Sequence, residues 1–589
     1  MNGTARRVEG PHGEGETLLM IGAATVAALA VGVIAGAAHL ALLVTGTHER
    51  LAGDPVLLVI DLARHRTRWP ADATAIAVGL AVLSVMVAGG VTWLIARRRG
   101  GGNVDHAARW MGRGRDLHRL TERHHRSEAK RLGVQAPGLP VGRAVASSTQ
   151  LYAGWEDVCV DIWGPRSGKT TSRAIPTILA APGAVVATSN KRDVVDATRD
   201  PRAETGRVWV FDPQEICDEP PSWTWNPLSY VTDEVKAAEL ADVFAMASRD
   251  PGARTDAYFD TAAQNLVAQL LLAAALDTRP LTQVYLWLTD PNDNEPVEVL
   301  SEHGYDVLAA ALLSQVNAPE KQRGGVYGTA QEMCAFMTQR QAMRWVEVVD
   351  ARPQFTPAAF ASSTDTLYSL SKEGKGSCAP LVTALTLAVC EAAEELAKRS
   401  SQGRLPVPMV ACLDEAANVT PIRQLPAYYS HWGSRGICVL TILQSWSQGV
   451  EVWGRDGMNK LWSAATVKCC GSGVSEVEFL DGLSRLIGDF DLQTRSVTYS
   501  GGAGGRSVGH QVRRERILDV AALAALPRGR MVVLSSGSRP TLARAIPWME
   551  GPDAARVFAS IAAHDPDAKR TIARTHAYDR ADATTEAAR

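Results

Sequence analysis

Residues 161–175 read DIWGPRSGKTTSRAI, and Gly168, Lys169 and Thr170 form the triplet with which a phosphate-binding loop ends. In the full pattern, G-x-x-x-x-G-K-[ST], a glycine stands five places before Gly168. Here that place is Trp163, and Gly164 comes one residue late. Such a loop captures anions: its backbone N–H groups and a helix N-terminus meet the phosphates, the lysine reaches the β- and γ-phosphates, and the hydroxyl ligates Mg²⁺. Gly164, Pro165, Arg166, Ser167, Gly168, Lys169, Thr170 and Thr171 are therefore the candidate nucleotide-binding residues. Gly164 is expected to start the turn with a positive φ, and Trp163→Gly to be mild. Phosphoryl transfer also needs an acidic station. In VPMVACLDEAANV (407–419) an apolar run ends on Asp414 and Glu415. Asp414 would join Thr170 in holding Mg²⁺, and Glu415 would orient or deprotonate the attacking water. A third apolar run, GICVLTILQS (436–445), reaches Gln444, a polar side chain able to sense the γ-phosphate.

These residues need a strand, a tight turn and a helix in that order. DVCVDIW (157–163) predicts a short buried strand, and KTTSRAIPTILAA (169–181) a helix in which Pro176 is a tolerable kink. Three apolar strands, each ending in the residue type that phosphoryl transfer needs there, predict an α/β nucleotide site.

At 589 residues the chain is expected to be multidomain. Its net charge of −2 excludes a globally basic nucleic-acid binder, so any basic surface is local. The nine cysteines show no C-x-x-C and sit mostly in apolar runs, which predicts buried free thiols in a reducing compartment. The pair Cys469–Cys470 has no partner at metal-ligand spacing and reads as core. Residues 17–48 and 73–96 contain no Asp, Glu, Lys or Arg, which predicts two transmembrane helices at about 18–46 and 73–96. Arg97, Arg98 and Arg99 abut the second, so the positive-inside rule puts both termini and the bulk of the chain in the cytoplasm. Residues 101–150 read as a basic linker against anionic lipid headgroups, and 551–589 as a largely disordered tail.

The ordered series WGPRSGKTT, VVATSNKRDVV (185–195), VWVFDPQ (208–214), WNPLSYV (225–231), DTLYSLSKEGKG (365–376), LDEAANVTPI and LTILQSWSQGVEVWG (440–454) resembles the TraG/TraD/TrwB-like coupling proteins of conjugation and type IV secretion. The resemblance runs from about residue 17 to 550. It implies two membrane helices (1–100), then a RecA-like α/β P-loop ATPase domain in two parts (151–231 and 353–550) with an all-helical domain inserted at 232–352. The helical periodicity of DAYFDTAAQNLVAQLLLAAAL (256–276) supports the insertion independently. ATP and Mg²⁺ are the implied cofactors. DNA (single-stranded, with a bound relaxase), type IV secretion channel proteins, the membrane and further copies in a ring are the implied partners. By the same resemblance Arg435 is a finger for a neighbour's γ-phosphate; from its own surroundings it reads equally as a surface arginine. SGGAGGRSVG (500–509) reads as a flexible hairpin tip, with a strand-gripping pore loop as the alternative. The competing functions are an FtsK/SpoIIIE-like double-strand translocase and a protein-cargo receptor with little ATPase activity. The D-E-x-A-N strand and its companion motifs favour the coupling family.

Overall fold

The computed structural model describes residues 14–45, 51–64, 66–70, 72–99, 103–249, 256–348, 351–374, 376–499, 506–573 and 575. The chain divides near residue 101 into two compact units. In the first, the two uncharged stretches form the helices Glu14–Thr45 and Ala73–Arg99, with the short helix Pro55–Ala63 between them, N-capped by Asp54. Within them, apolar helical segments run over Leu29–Thr45 and Ala73–Val87. Among the described residues the helix long and apolar enough to cross a membrane is Ala257–Leu276, and half of it is buried inside the second unit.

Among the described residues the second unit has thirteen strands: β1 (Leu139–Ala144), β2 (Gln150–Ala153), β3 (Cys159–Ile162), β4 (Val185–Ser189), β5 (Val208–Phe211), β6 (Thr366–Leu370), β7 (Met409–Leu413), β8 (Ile437–Leu443), β9 (Val467–Gly471), β10 (Asp489–Tyr499), β11 (Arg506–Arg516), β12 (Arg530–Ser535) and β13 (Thr541–Arg544). Eleven of them make one sheet in the order β2-β1-β13-β12-β9-β3-β8-β7-β4-β6-β5. From β9 to β5 all neighbours are parallel, whereas β12, β13, β1 and β2 add an antiparallel wing. The parallel strands β3, β4, β6, β7 and β8 are buried at every position, so they show no alternation of apolar and solvent-facing residues, and the polar side chains they carry, Asp161 and Ser369 among them, are buried as well. From β3 the chain crosses to β4 in one direction, and from β8 it crosses to β9 in the other. The carboxyl ends of β3, β8 and β7 therefore open at a point where connections diverge, the place where such sheets bind ligands.

Between β5 and β6 the described chain is helical. Asp233 caps the helix Glu234–Ser248, and Asp256 caps Ala257–Leu276. Phe244, Leu270, Trp287 and Phe336 are buried there in a core continuous with that of the sheet. All nine cysteines are buried and free.

Two expectations fail. Residues 103–150 are not a linker: β1 and β2 belong to the sheet, and Leu117, Leu120 and Ala129 are buried in the core against them. Asp105 receives two bonds from Arg530 of β12, at 2.9 and 3.0 Å. The apolar residues here are spread over short 3₁₀ turns, the ten-residue helix Glu122–Arg131 and the strand β1, so no single period runs through them, and their partners β12 and β13 come late in the chain. The start of the supposed tail is also ordered. The helix Ala554–His564 buries Val557 and Ile561 with Ile175, Ala197 and Trp548. Its Ser560 hydroxyl donates to the Asp196 carbonyl at 2.6 Å. Strands β10 and β11 pair only with each other. Most of the glycine-rich SGGAGGRSVG stretch, residues 500–505, lies outside the described residues.

Candidate functional site

The register of the parallel strands assembles the site. Ile162 of β3 stands opposite Leu443 of β8, and Leu413 of β7 opposite Thr441 of β8. Trp163, Asp414 and Gln444 therefore leave the sheet at the same edge. The phosphate loop follows β3 and leads into a five-residue π-helical turn, Thr170–Ala174, before the helix Ile175–Ala180. The wide turn ends where Pro176, which has no N–H to give, enters the first turn of the α-helix.

Lys169 is buried and donates to Glu415 Oε1; its ammonium is 4.0 Å from Asp414 Oδ1. The Thr170 hydroxyl lies 3.3 Å from Asp414 Oδ2, and Gln444 donates to Glu415 Oε2 at 2.7 Å. Thr188 of β4 holds the Asp414 carbonyl at 3.2 Å. Three of the expected residues, Lys169, Thr170 and Gln444, thus converge on one buried acidic pair, Asp414 and Glu415. Glu415 has φ +56°, a left-handed conformation that costs about 1–3 kcal/mol in a residue with a side chain. Burial raises the Asp414 carboxyl to about 7, opposed by Lys169 and assisted by Glu415. Asp414 Oδ1 is buried without a hydrogen-bond partner. An orphaned hard oxygen beside a threonine hydroxyl suits Mg²⁺, which takes one or two protein oxygens along with water and phosphate.

The loop itself differs from expectation. Gly168 has φ +93° and Arg166 φ +57°, while Gly164 does not have a positive φ. Gly164 is needed because a Cβ there would run into the backbone of Gly473, and its N–H donates to Ser472 at 3.0 Å. The hydroxyls of Ser167 and Thr171 are turned back onto the loop, donating to the carbonyls of Gly164 (2.5 Å) and Gly168 (2.9 Å). Pro165 and Arg166 are exposed. Trp163 is fully buried and bonded, not incidental to the loop.

Arg435 is not brought to this group. It lies before β8 whereas Gln444 follows it, at the opposite edge of the sheet, and its guanidinium is 3.6 Å from Glu394 of the helix Ala379–Arg399. The sequence reading also missed the segment 471–473, whose Gly-Ser-Gly triplet immediately after an apolar strand was the available signal. It missed a tie between motifs as well: Glu373 Oε1 accepts from Asn190 at 2.6 Å and from Asn418 at 2.9 Å, joining the loops after β4, β6 and β7 beside the site.

Residues 408–528 match the family model described as the TraM recognition site of TraD and TraG. The fold is similar to that of the bacterial conjugative coupling protein TrwBdeltaN70 in its unbound monoclinic form, with 15% identity over 71% of this chain and 91% of that one, at a TM-score of 0.52. It is also similar to the plasmid coupling protein TrwB in complex with ADP and Mg²⁺, with 14% identity over 67% of this chain and 85% of that one, at a TM-score of 0.50. No curated protein matches in sequence. The family resemblance carried by the motifs is thus met by a family model in one segment and by a similar fold over 71% of the chain.

Proposed function

We propose, from the chain's likeness to the TraG/TraD/TrwB-like coupling proteins, that it is a membrane-anchored ATPase that delivers a DNA–relaxase complex, or a protein substrate, to a type IV secretion channel. The observation that carries the reading is the convergence of Lys169, Thr170, Asp414, Glu415 and Gln444 at one buried sheet edge. In this reading the loop Gly164–Thr171 binds the phosphates, and Lys169 exchanges its contact with Glu415 for the β- and γ-phosphates. Thr170 and Asp414 hold Mg²⁺, whose chemistry is to neutralise charge on the transferring phosphate. That exchange frees Glu415 to accept a proton from, or orient, the attacking water, and Gln444 keeps the carboxylate aimed through its 2.7 Å bond. Arg435 supplies charge to the site of a neighbouring copy in a ring, since within one chain it lies at the wrong edge.

The helices Glu14–Thr45 and Ala73–Arg99 are the two membrane spans in this reading, with the bulk of the chain cytoplasmic. The core motor domain carries the helical insertion 232–352. The family description of residues 408–528 as a TraM recognition site supports a role in meeting a DNA-processing complex. The test is ATP hydrolysis by the full chain in detergent or nanodiscs, with and without single- and double-stranded DNA. Stimulation by single strands fits delivery of a processed strand, whereas stimulation confined to duplex favours a double-strand translocase. No hydrolysis under any condition removes the motor reading.

A further inference from the structure

Where the phosphate-loop pattern has its first glycine this chain has Trp163, and the structure contains a matched set of residues around it. The Trp163 indole N–H donates to Asp161 Oδ2 at 3.2 Å. The same oxygen accepts from Arg173 Nε at 2.7 Å, and Arg173 also donates to the Pro140 carbonyl on β1. Asp161, Trp163 and Arg173 are each completely buried. Trp163 enters the phosphate loop and Arg173 lies on the helical turn that leaves it, so one carboxylate bridges the loop's two ends. On the other side the indole lies flat against the backbone of Gly471, where any Cβ would meet its ring carbons. One residue further on, Gly164 packs in the same way against Gly473.

A buried ion pair is a poor source of stability, because desolvation offsets most of its attraction; its better-attested use is to fix one arrangement. A loop that must present several N–H groups to phosphate gains from being held before the ligand arrives. We propose that Trp163, Asp161 and Arg173 are positioning residues, a buried clamp that holds the two ends of the phosphate loop in register and replaces the missing glycine turn. This rests on the nucleotide-binding reading above.

Trp163→Phe keeps a ring and removes the N–H. Trp287→Phe is the matched control, since that buried indole also donates to a carboxylate, Glu295, at 2.9 Å in the helical region. Both variants of the full chain are compared by thermal melting and by binding of a fluorescent non-hydrolysable ATP analogue with Mg²⁺, well below the melting temperature. We expect both to melt earlier, and only Trp163→Phe to bind about tenfold more weakly, a difference of about 1.4 kcal/mol. Gly471→Ala, which displaces the indole from outside the loop, gives the same loss and carries the test if Trp163→Phe does not fold. Wild-type affinity in folded Trp163→Phe or Gly471→Ala overturns the clamp and leaves the nucleotide site standing. So does an equal affinity loss in Trp287→Phe. Failure of the unaltered chain to bind the analogue overturns the nucleotide reading and the clamp with it.

Discussion

The two ends of β8 make an instructive pair. At its carboxyl end Gln444 is tied to Glu415, and through it to Lys169 of the phosphate loop. At its amino end Arg435 is partly exposed and faces Glu394, a carboxylate that also receives the Trp432 indole N–H at 3.0 Å and lies 3.4 Å from His431. One strand carries a polar residue at each edge of the sheet, but only one edge has a nucleotide-type constellation. The difference teaches that a motif's order along the chain says which strand bears a residue, and the sheet's polarity says which site it can serve. In the proposed function Gln444 serves its own chain, and Arg435 acts on a phosphate in another copy.

The largest expected effect tests that division. Arg435→Ala should reduce ATP turnover by about 10³–10⁵ if the arginine acts across a subunit boundary. Mixing it with Glu415→Gln should recover activity that neither variant has alone, because some interfaces then pair an intact Arg435 with an intact Glu415. Near-normal turnover by Arg435→Ala would break the comparison, leaving the amino end of β8 a structural surface. Next in size is Glu415→Gln, which keeps the side chain's dimensions but removes the base. Turnover should fall about 10²–10⁴ while nucleotide binding, read by equilibrium titration, persists.

Lys169→Ala removes a charged donor from the phosphates, and affinity for the nucleotide should drop about 10- to 100-fold, in line with the worth of a charged hydrogen bond. Unchanged affinity would mean that the lysine's contact with Glu415 is purely structural. Gly164→Val should destabilise the fold by about 1–3 kcal/mol through overpacking against Gly473. That loss should appear in melting curves even without nucleotide, which separates it from a defect in phosphate approach.

The smallest effect belongs to the amino edge. Burial alone would raise the Glu394 carboxyl, but the Trp432 N–H and the charges of His431, Lys398 and Arg435 outweigh it and hold it below its ordinary value. Its contribution to stability is therefore present above the ordinary carboxylate range and is lost as pH falls through the folded value. Glu394→Gln should flatten that acid-side loss by about 1 kcal/mol or less, since the pair is close to solvent. A large change in nucleotide turnover from the same substitution would show that the two edges are coupled within one chain.

Much of this was legible beforehand. Strands β7 and β8 are short, almost wholly apolar runs because both faces of a parallel sheet are covered, and each leads directly into a polar residue, Asp414 or Gln444. Lys169, Thr170, Asp414, Glu415 and Gln444 could be named from type and spacing, because phosphate and Mg²⁺ chemistry demands those groups at strand ends. The order of motifs, the helical text between β5 and β6 and the uncharged N-terminal stretches were equally local signals. The tertiary structure alone decided what depends on partners distant in sequence. Residues 103–150 became an edge of the sheet because β13 presents a free edge to β1. Gly164 has no room for a Cβ because of the backbone of Gly473, and Trp163 packs on Gly471 and shares the Asp161 carboxylate with Arg173. Composition and periodicity report what a residue needs from its neighbours along the chain; close approach of two backbones, and the burial of a charged pair between them, arise only when the sheet closes.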